Sequence, residues 1–469
     1  MHNNETPLVD AIAAYIAKGR QRGHMPGHKG QARGLLSSFG ELAAWDVTEA
    51  DGLDDLHAPE GAILCAEHLM ALAVGALKAY FLVNGATAGI QAAILAAVKP
   101  GEMLLLPRNA HRAAWTAMAL GDIRPLWLEV PQTAAGLPLA VMPEQVEQAL
   151  SAHPEVKAAF FVYPSFYGVC GDLAGCLAAA RRHGVTTIVD EAHGAPLPFI
   201  APDLAAARLG ADLVIDSWHK SMGSLGQTAV LGCNRPDLHP EHWLTLLQTS
   251  SPSYPLLASL DAARAEWQEQ AVAWAGQLRQ ERRLLENALA GAANLRLIDG
   301  ADLPAGFAYD DTKALLYSAV GHSGGQIAGK LRECGLEPEF AAGRFALLLL
   351  TYADTAPDSL AASLAAADAK LTAVNPEGAP DPAALPLPEQ AITPFYAAHA
   401  DTKDIPLAAA AGCISAGLLT PYPPGIPAVG MGEVIEAEMV EKLQELMASG
   451  GKVQGVAKGN VTVICQKQQ

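Results

Sequence analysis

Residues 213–223 read LVIDSWHKSMG, in which three apolar residues are followed by a polar segment that contains Lys220. A short apolar run of this kind is typical of a buried strand that ends where the polar residues begin. Open α/β sheets bind ligands beyond the carboxyl ends of their strands. A lysine in that position can act as an amine nucleophile if its surroundings lower its pKa. A surface lysine is the simpler interpretation, and the neighbouring motifs must decide between the two.

Six further apolar runs alternate with Ala-rich helical stretches such as 88–98 and 173–182. Strand–helix alternation predicts an α/β fold with a mostly parallel sheet that is covered on both faces. The seven predicted strands are Tyr80–Val83, Met103–Leu106, Ile123–Leu128, Ala158–Val162, Thr186–Val189, Leu213–Ile215 and Ala229–Leu231.

The 469 residues exceed one typical hydrophobic core, so two or three domains are expected. Along the chain we predict an N-terminal arm with loops at 1–60, a large sheet domain at 61–295, a small α/β domain at 296–375 and a C-terminal domain at 376–469. The span 374–388 is rich in Pro and Ala and is interpreted as a linker. Apolar spacing also predicts helices at 256–289, 326–334 and 433–447.

Composition excludes several classes of protein. Hydrophobic residues make up 51% and charged residues 17%, as in a well-buried globular enzyme and unlike a disordered chain. The formal net charge of −18 argues against general nucleic-acid binding. No apolar signal segment opens the chain, and the most apolar long stretch, 61–83, contains Glu67, His68 and Lys78, so we expect no membrane partner. The seven cysteines form no Cys-x-x-Cys pair, which indicates a reduced, cytoplasmic setting.

A second motif, Asp190-Glu191-Ala192-His193-Gly194, follows the apolar run 186–189. Its position predicts that Asp190 lies at the carboxyl end of a strand. A carboxylate there can pair with the protonated nitrogen of a pyridine cofactor and keep the ring an electron acceptor. The simpler interpretation is an aspartate that caps a turn.

Residues 84–89, Asn-Gly-Ala-Thr-Ala-Gly, lie between a predicted strand and a predicted helix. Backbone N–H groups at a helix start bind phosphate, and the Thr87 hydroxyl adds a donor, although such turns are common without any ligand. His111 begins the next helical segment and could stack over an aromatic cofactor ring. A lone histidine is more often a capping residue.

The order of these motifs, with a glycine turn, a histidine, a strand-end aspartate and Ser-x-His-Lys, resembles that of the Orn/Lys/Arg decarboxylase family. These are fold-type I enzymes that depend on pyridoxal 5′-phosphate (PLP), and the resemblance is to the shorter bacterial form. It covers nearly the whole chain. It rests on HMPGHK at 24–29, GLDDLH at 52–57, DEAHG at 190–194, DSWHK at 216–220 and TPYPPGIP at 420–427 followed by Gly432-Glu433. The resemblance implies an aspartate aminotransferase-like large domain with smaller α+β C-terminal domains.

The resemblance also implies roles for individual residues. Lys220 would hold PLP as a Schiff base, Asp190 would hold the ring nitrogen, and His111 would stack on the ring with His193 close by. The phosphate contacts would be Ala86, Thr87, Ser217 and His219, and Ser165 would approach the ring hydroxyl. The substrate contacts would be Glu433, near the distal cationic group, and Asp54 and His28, from N-terminal loops that shape a site across a dimer interface.

The implied reaction is decarboxylation of a basic amino acid, arginine or lysine before ornithine, to a polyamine-type amine and CO2. A homodimer is the smallest assembly implied. The chain departs from the family at 408–417, where an Ala-rich segment replaces acidic residues and an arginine, and at Ala86, where the family often has Ser. The first departure puts the C-terminal contacts and substrate choice in doubt.

The sequence leaves four alternatives, of which a cofactor-binding pseudoenzyme with a regulatory role is disfavoured by the intact Lys220 and Asp190. An aminotransferase or carbon–sulfur lyase on the same fold would use the same cofactor constellation. A P-loop ATPase is suggested by Gly324–Lys330, yet Leu331 stands where a Ser or Thr must reach Mg²⁺. A metal site at His24 and His28 is disfavoured because Pro26 prevents helical spacing and no ligand cluster joins them, so no metal is expected.

Overall fold

The structure is a computed structural model that describes residues 4–372, 387–422, 425–448 and 450–465. Its α-helices are α1 Pro7–Ala17, α2 Leu42–Trp45, α3 Ala62–Val74, α4 Gly85–Ala97, α5 Arg112–Gly121, α6 Pro143–Ala152, α7 Leu173–Arg182, α8 Leu197–Ile200, α9 Trp218–Ser221, α10 Pro240–Leu247, α11 Tyr254–Leu289, α12 Gly324–Glu333, α13 Pro357–Lys370, α14 Pro394–His399 and α15 Ala437–Ala448.

The strands are β1 Lys78–Leu82, β2 Met103–Pro107, β3 Arg124–Leu128, β4 Val156–Val162, β5 Val169–Cys170, β6 Thr186–Asp190, β7 Leu213–Asp216, β8 Ala229–Cys233, β9 Leu295–Leu297, β10 Ala308–Tyr309, β11 Lys313–Ser318, β12 Phe340–Ala342, β13 Phe345–Leu349, β14 Thr402–Pro406, β15 Thr420–Tyr422, β16 Lys452–Gln454 and β17 Asn460–Ile464.

The large sheet has seven strands in the order β1-β8-β7-β6-β4-β2-β3. Strand β8 runs antiparallel to β1 and to β7, whereas the β6–β7, β2–β4 and β2–β3 pairings are parallel. The predicted α/β fold with a mostly parallel seven-stranded sheet is therefore confirmed. Each of the seven predicted strands overlaps an observed one, because buried parallel strands appear in sequence as nearly continuous apolar runs.

The described chain divides into two compact units, Met1–Ala96 with Ile188–Ala275 and Ala97–Thr187 with Gly276–Gln469. In the first unit, helix α4 packs closely on the sheet at Gly89. A Cβ atom on Gly89 would lie 2.6 Å from Leu82 Cδ1 and 3.1 Å from Ile215 Cγ2, so a larger residue would push these side chains aside. The close contact fixes the start of α4 beside the ends of β1 and β7.

The first unit also contains helix α1, which the sequence did not predict within the loop-rich region 1–60. Leu8 and Ile12 are fully buried on one face of the helix. The carboxylate of Asp261 on α11 accepts a hydrogen bond from Leu8 N at 2.9 Å and forms an ion pair with Arg264 at 2.8 Å. Pro7 at the first helical position and apolar residues four apart were the sequence signals for this helix.

The second unit contains β4, β2 and β3 and a separate antiparallel sheet in the order β12-β13-β11-β9. Helix α12 begins at Gly324, where the Ser323 side chain accepts a hydrogen bond from Gln326 N at 3.3 Å, and Lys330 pairs with Glu333 on the same helix at 2.8 Å. The P-loop-like segment is therefore a capped helix start, and its lysine is paired on the protein surface.

The C-terminal part of the second unit has its own apolar core, which includes Val429, Ile435, Leu443 and Val461. Helix α15 begins at Ala437, later than the predicted helix at 433–447. The helix starts late because Glu433 and Val434 form β-bridges with Gln390 and Ile414. The predicted linker at 374–388 lies outside the described residues except for its last two positions. Within the described ranges, no helix is long and apolar enough to cross a membrane.

Candidate active site

Lys220 lies just beyond the carboxyl end of β7, in the short helix α9. Its Nζ is 2.8 Å from Nε2 of His193, which follows β6. At this distance the lysine donates a hydrogen bond and Nε2 of a neutral imidazole accepts it. Two residues that are distant in sequence therefore meet at the ends of adjacent parallel strands, where open α/β sheets bind ligands.

Asp190 is the last residue of β6 and is buried. Its Oδ1 accepts a hydrogen bond from the backbone N–H of Ala192 at 3.2 Å. Burial raises the pKa of Asp190, and the positive charge of Lys220 and the Ala192 N–H oppose that rise. A buried carboxylate held in this way is suited to binding a cationic N–H group.

Two further buried acidic residues, Glu191 and Asp216, lie beside Asp190. Glu191 donates its backbone N–H to Ile215 O at 2.9 Å, and its Oε1 accepts the N–H of Ala206 at 2.8 Å. The side chains of Glu191 and Asp216 are hydrogen-bonded to each other. Burial raises the pKa of Asp216 to about 8; the hydrogen bond with Glu191 opposes that rise, and the charge of Asp190 adds to it.

The predicted phosphate contacts lie at two chain segments of the same unit. Ala86 and Thr87 are in the first turn of α4, whose backbone N–H groups are the donors that a helix start offers to an anion. Ser217 is buried directly after β7, and His219 Nδ1 is 2.8 Å from Thr228 O. Since the carbonyl can only accept, Nδ1 of His219 carries a proton and Nε2 remains for a second interaction when the ring is neutral.

These groups fit the cofactor that the resemblance implies. An amine at Lys220, a buried carboxylate at Asp190 and a helix start at Thr87 match the aldehyde, the ring nitrogen and the phosphate of PLP. Nearby, Ser221 Oγ and Trp218 Nε1 are buried and have no hydrogen-bond partner among the described residues. The first unit therefore supplies donors and acceptors of the kinds that PLP requires.

His111 and Ser165 belong to the second unit. His111 precedes α5, and its Nδ1 accepts a hydrogen bond from Ala113 N at 3.2 Å, so the ring caps this helix. Ser165 is buried, and its Oγ accepts a hydrogen bond from Val169 N at 3.1 Å. The capping role of His111 does not test stacking on a cofactor ring, which stays a prediction, as does the role of Ser165.

Glu433 also lies in the second unit and is fully buried. Its Oε2 is 2.8 Å from Nη2 of Arg108 and accepts the N–H of Gly430 at 2.5 Å. Burial raises the pKa of Glu433 and lowers the pKa of Arg108, and each charge opposes the shift of the other. The carboxylate expected to contact the substrate's distal cation is thus already paired with a cation of its own chain.

The two N-terminal residues expected to contact substrate have partners within the first unit. The Asp54 carboxylate accepts backbone N–H groups at the start of α3, including those of Gly61 at 2.8 Å and Ile63 at 2.9 Å. His28 Nε2 is 3.0 Å from Asp46 Oδ2. Among the described residues, no group of three or more His, Cys, Asp or Glu side chains is placed to hold a metal ion.

The sequence reasoning assigned no role to three functional candidates, namely Arg108, Glu191 and Asp216. Each directly ends or follows a buried strand. An ionisable residue at such a position is a signal for a buried charge that needs a partner. The partner of Arg108 is Glu433, far along the chain, and Glu191 and Asp216 meet only because β6 and β7 are neighbours. The sequence therefore could not identify these partners.

Comparisons with known proteins agree with the geometry. The model described as "Orn/Lys/Arg decarboxylase, major domain" matches residues 6–298, and the one described as "Orn/Lys/Arg decarboxylase, C-terminal domain" matches 378–458. The chain is 31% identical to an arginine decarboxylase of Bacillus subtilis over 477 residues, which cover 97% of this chain and 96% of that protein. An arginine decarboxylase of Bacillus anthracis is also 31% identical, with coverage of 96% and 95% respectively.

Solved structures show the same fold. The Francisella novicida lysine decarboxylase LdcF superposes with a TM-score of 0.84 at 17% identity, over 98% of this chain and 81% of that chain. The constitutive lysine decarboxylase of E. coli superposes with a TM-score of 0.82 at 18% identity, over 99% and 82%. The predicted fold-type I architecture is therefore confirmed.

Proposed function

Because this chain belongs to the Orn/Lys/Arg decarboxylase family of PLP-dependent enzymes, we propose that it decarboxylates arginine or lysine, before ornithine, to the corresponding amine and CO2. The observation that carries the proposal is the approach of Lys220 Nζ to His193 Nε2 at 2.8 Å beside buried Asp190. Arginine is placed first because two relatives that match nearly the full chain are named arginine decarboxylases.

PLP, when bound, supplies the electron sink for the bond to the α-carboxyl group. Lys220 binds the cofactor through its amine, and Asp190 holds a proton on the ring nitrogen. Ala86 and Thr87 at the start of α4 bind the phosphate together with Ser217 and His219.

The remaining residues orient the ring and move protons. His111 would cover one face of the ring, and Ser165 would contact its hydroxyl group, as the family resemblance implies. His193 accepts a proton from Nζ of Lys220, which leaves the uncharged amine that is needed for nucleophilic attack. An aminotransferase or a lyase would use the same residues, and the family membership favours decarboxylation over both.

The cationic end of the substrate is proposed to contact acidic residues. Asp54, His28 and Glu433 are the candidates, although each already has a partner in this chain. The Ala-rich segment 408–417 contributes to the placement of Glu433, because Ser415 N donates to Glu433 O at 2.8 Å. The departure of this segment from the family pattern therefore bears on substrate choice.

We further propose a homodimer, a cytoplasmic setting and a role in polyamine synthesis. Support for the dimer comes from an exposed apolar surface on α3 and the turn before β1. Leu64, Leu72 and Leu77 are 47%, 56% and 68% exposed, and a cavity of about 480 Å³ lies beside Leu64 and Leu77. Exposed apolar side chains beside a surface cavity are typical of an interaction surface. The division at 1–60, 61–295, 296–375 and 376–469 is retained as part of the proposal.

The experiment that tests the function combines two measurements on the purified protein. The first is the visible absorbance spectrum before and after reduction with borohydride. The second is CO2 release from arginine, lysine, ornithine and diaminopimelate. A yellow protein that bleaches with borohydride and releases CO2 from arginine or lysine is the expected result. A protein that PLP cannot colour, or one that transfers the amino group without releasing CO2, would overturn the proposal.

A further inference from the structure

The first compact unit contains a cavity of about 480 Å³ that is lined by residues of α3, β1 and α10 and of the loop before α3. We propose that this cavity is a second binding site, for an aliphatic primary amine, with the carboxyl group of Glu67 as the partner of the ammonium group. The inference goes beyond the proposed function, because it requires neither PLP nor turnover. The amine that the proposed reaction would release belongs to the same chemical class.

The walls of the cavity are mostly apolar. The apolar side chains that line it include Leu56, Leu64, Ala71, Leu77, Phe81 and Leu244. Its volume and composition are those of a small-molecule site, in which a few polar groups fix the ligand among apolar walls. Leu64 and Leu77 also belong to the surface proposed for the dimer. A buried carboxyl group is not expected from that role, since charged residues are depleted from the cores of such interfaces.

Glu67 is the buried acid of the cavity, and 6% of the residue is exposed. Its Oε1 accepts the N–H of Phe81 at 2.8 Å, which joins α3 to β1. Within the described residues, Oε2 forms no hydrogen bond, and no lysine or arginine pairs with the carboxyl group. An acid is rarely buried without such a partner. A ligand in the cavity can therefore supply the missing cation.

Other polar side chains of the cavity have partners within the chain. Gln248 accepts the N–H of Val83 at 2.8 Å and donates to Phe81 O at 3.2 Å. The hydroxyl group of Tyr80 donates to Glu241 Oε2 at 2.9 Å. These contacts are internal to the fold, so the Glu67 carboxyl group is the better anchor for a ligand.

A primary ammonium group is suited to this carboxyl group. Burial raises the pKa of Glu67 to about 8, the hydrogen bond from Phe81 opposes that rise, and the charge of Asp54 adds to it. An ammonium group at Oε2 stabilises the carboxylate and lowers that pKa. Below pH 8, Glu67 therefore releases one proton to the solvent as the amine binds, and the bound state is an ion pair. A neutral alcohol forms only the weaker uncharged hydrogen bond.

Calorimetric titrations compare pentan-1-amine with pentan-1-ol, which has the same chain and no charge. The protein is first reduced with borohydride, so that PLP held by Lys220 cannot react with the amine. At pH 8 the amine should bind about tenfold or more tighter than the alcohol. Between pH 6 and pH 7 the affinity for the amine should rise by about tenfold, because binding releases a proton, whereas the affinity for the alcohol should stay constant.

Matched variants assign the effect to one residue. Glu67→Gln keeps the size of the side chain and the acceptor for Phe81 but removes the charge, so it should bind the amine no tighter than the alcohol. Glu241→Gln changes the other acid of the cavity and should keep the tight binding. The remaining titratable groups around Glu67 are His57, His68, Lys78, Tyr80 and, from the segment before α3, Asp54. Their contribution to the pH dependence persists in Glu67→Gln and can be subtracted.

Equal affinities for amine and alcohol in the unaltered protein would overturn the proposal, as would equal losses in the two variants. If Glu67→Gln does not fold, titrations of the unaltered protein in buffers of different ionisation enthalpy count the protons that binding releases. About one proton is expected for the amine at pH 7 and none for the alcohol. Amine binding without proton release would show that Glu67 is not the partner. A failure of the proposed function is recognised separately, by a protein that PLP cannot colour, and leaves these titrations unaffected.

Discussion

Arg108 Nη2 and Glu433 Oε2 lie 2.8 Å apart in the second compact unit, and they join the end of β2 to the C-terminal part of the chain. The guanidinium lies 5.2 Å and 5.1 Å from the ring centroids of Trp115 and Trp127, within range of cation–π attraction. A Cβ atom at Gly430 would lie 1.9 Å from Trp115 Cη2, so the loop before Glu433 can approach this indole only as glycine. The ion pair is enclosed by aromatic side chains and shielded from water.

The first prediction concerns this pair. Glu433→Gln leaves the Arg108 charge buried without its counterion, and breaking a buried pair in this way costs about 3–5 kcal/mol. Replacing both members, by Arg108→Met with Glu433→Leu, should cost less than the sum of the two single changes, because no charge is then left buried. Urea denaturation of the unaltered protein, Glu433→Gln, Arg108→Met, Glu433→Leu and the double variant measures these costs. Glu438→Gln, which breaks an exposed pair with Lys442, is the control and should change stability little.

The same variant bears on substrate binding. If Glu433 contacts the distal cation, Glu433→Gln will raise KM for arginine or lysine far more than it lowers kcat. If Glu433 only pairs with Arg108, the loss of activity will follow the fraction of folded protein. KM will then stay near that of the unaltered enzyme.

The second prediction is that Lys220→Ala abolishes CO2 release and the covalent attachment of PLP. The variant lacks the amine that lies 2.8 Å from His193 Nε2. Absorbance after borohydride reduction and a CO2 assay measure the two effects. Lys330→Ala, which removes a surface lysine on α12, should behave like the unaltered protein. Full turnover by Lys220→Ala would show that the site assignment is wrong.

The third prediction concerns Asp54 as the cap of α3. Its carboxylate accepts N–H groups that the helix start otherwise leaves unpaired, so Asp54→Ala should lower the free energy of unfolding by about 1–2 kcal/mol. Burial acts to raise the pKa of Asp54, but the backbone hydrogen bonds outweigh it and lower the pKa. The contribution of the Asp54 carboxylate to stability is therefore complete at neutral pH. It is lost only as the pH falls below about 4, through the lowered pKa. Urea midpoints at pH 7, with Asp51→Ala as an exposed control, measure the effect.

The fourth prediction is a pH dependence of stability in the cofactor-free protein. Burial raises the pKa of Asp216 to about 8, so the folded chain keeps a proton that the unfolded chain releases near pH 4. The stability from this group is complete below pH 4 and is lost as the pH rises towards 8, by at most about 1.4 kcal/mol per pH unit. Asp216→Asn should reduce this decrease of stability with pH, which urea midpoints from pH 5 to pH 8 measure. An unchanged slope would contradict the raised pKa of Asp216, and Glu129→Gln at the surface is the control.

The fifth prediction tests the proposed dimer. Leu64→Glu combined with Leu77→Glu places two charges on the exposed apolar surface and should shift the protein towards the monomer in sedimentation experiments. Leu120→Glu changes a side chain that is 58% exposed in the other compact unit and serves as the control. If the double variant sediments like the unaltered protein, the dimer does not use this surface.

The sequence alone determined the seven-stranded sheet and the positions of Lys220 and Asp190 at strand ends. These features are local, because each buried strand is an apolar run and each motif residue is its direct neighbour. The sequence predicted the first residues of helices less well where local signals compete with tertiary contacts. Helix α15 begins at Ala437 because the preceding residues pair with remote segments, and α1 depends on the capture of its first N–H groups by Asp261.

Only the tertiary structure decided which charged groups meet. The distance from Lys220 to His193 depends on the register of β6 and β7, and the Asp216–Glu191 pair depends on the same register. The Arg108–Glu433 contact joins residues 325 positions apart. A sequence shows that an ionisable residue follows a buried strand, but the partner that makes its burial possible is chosen by packing between segments that the chain order leaves far apart.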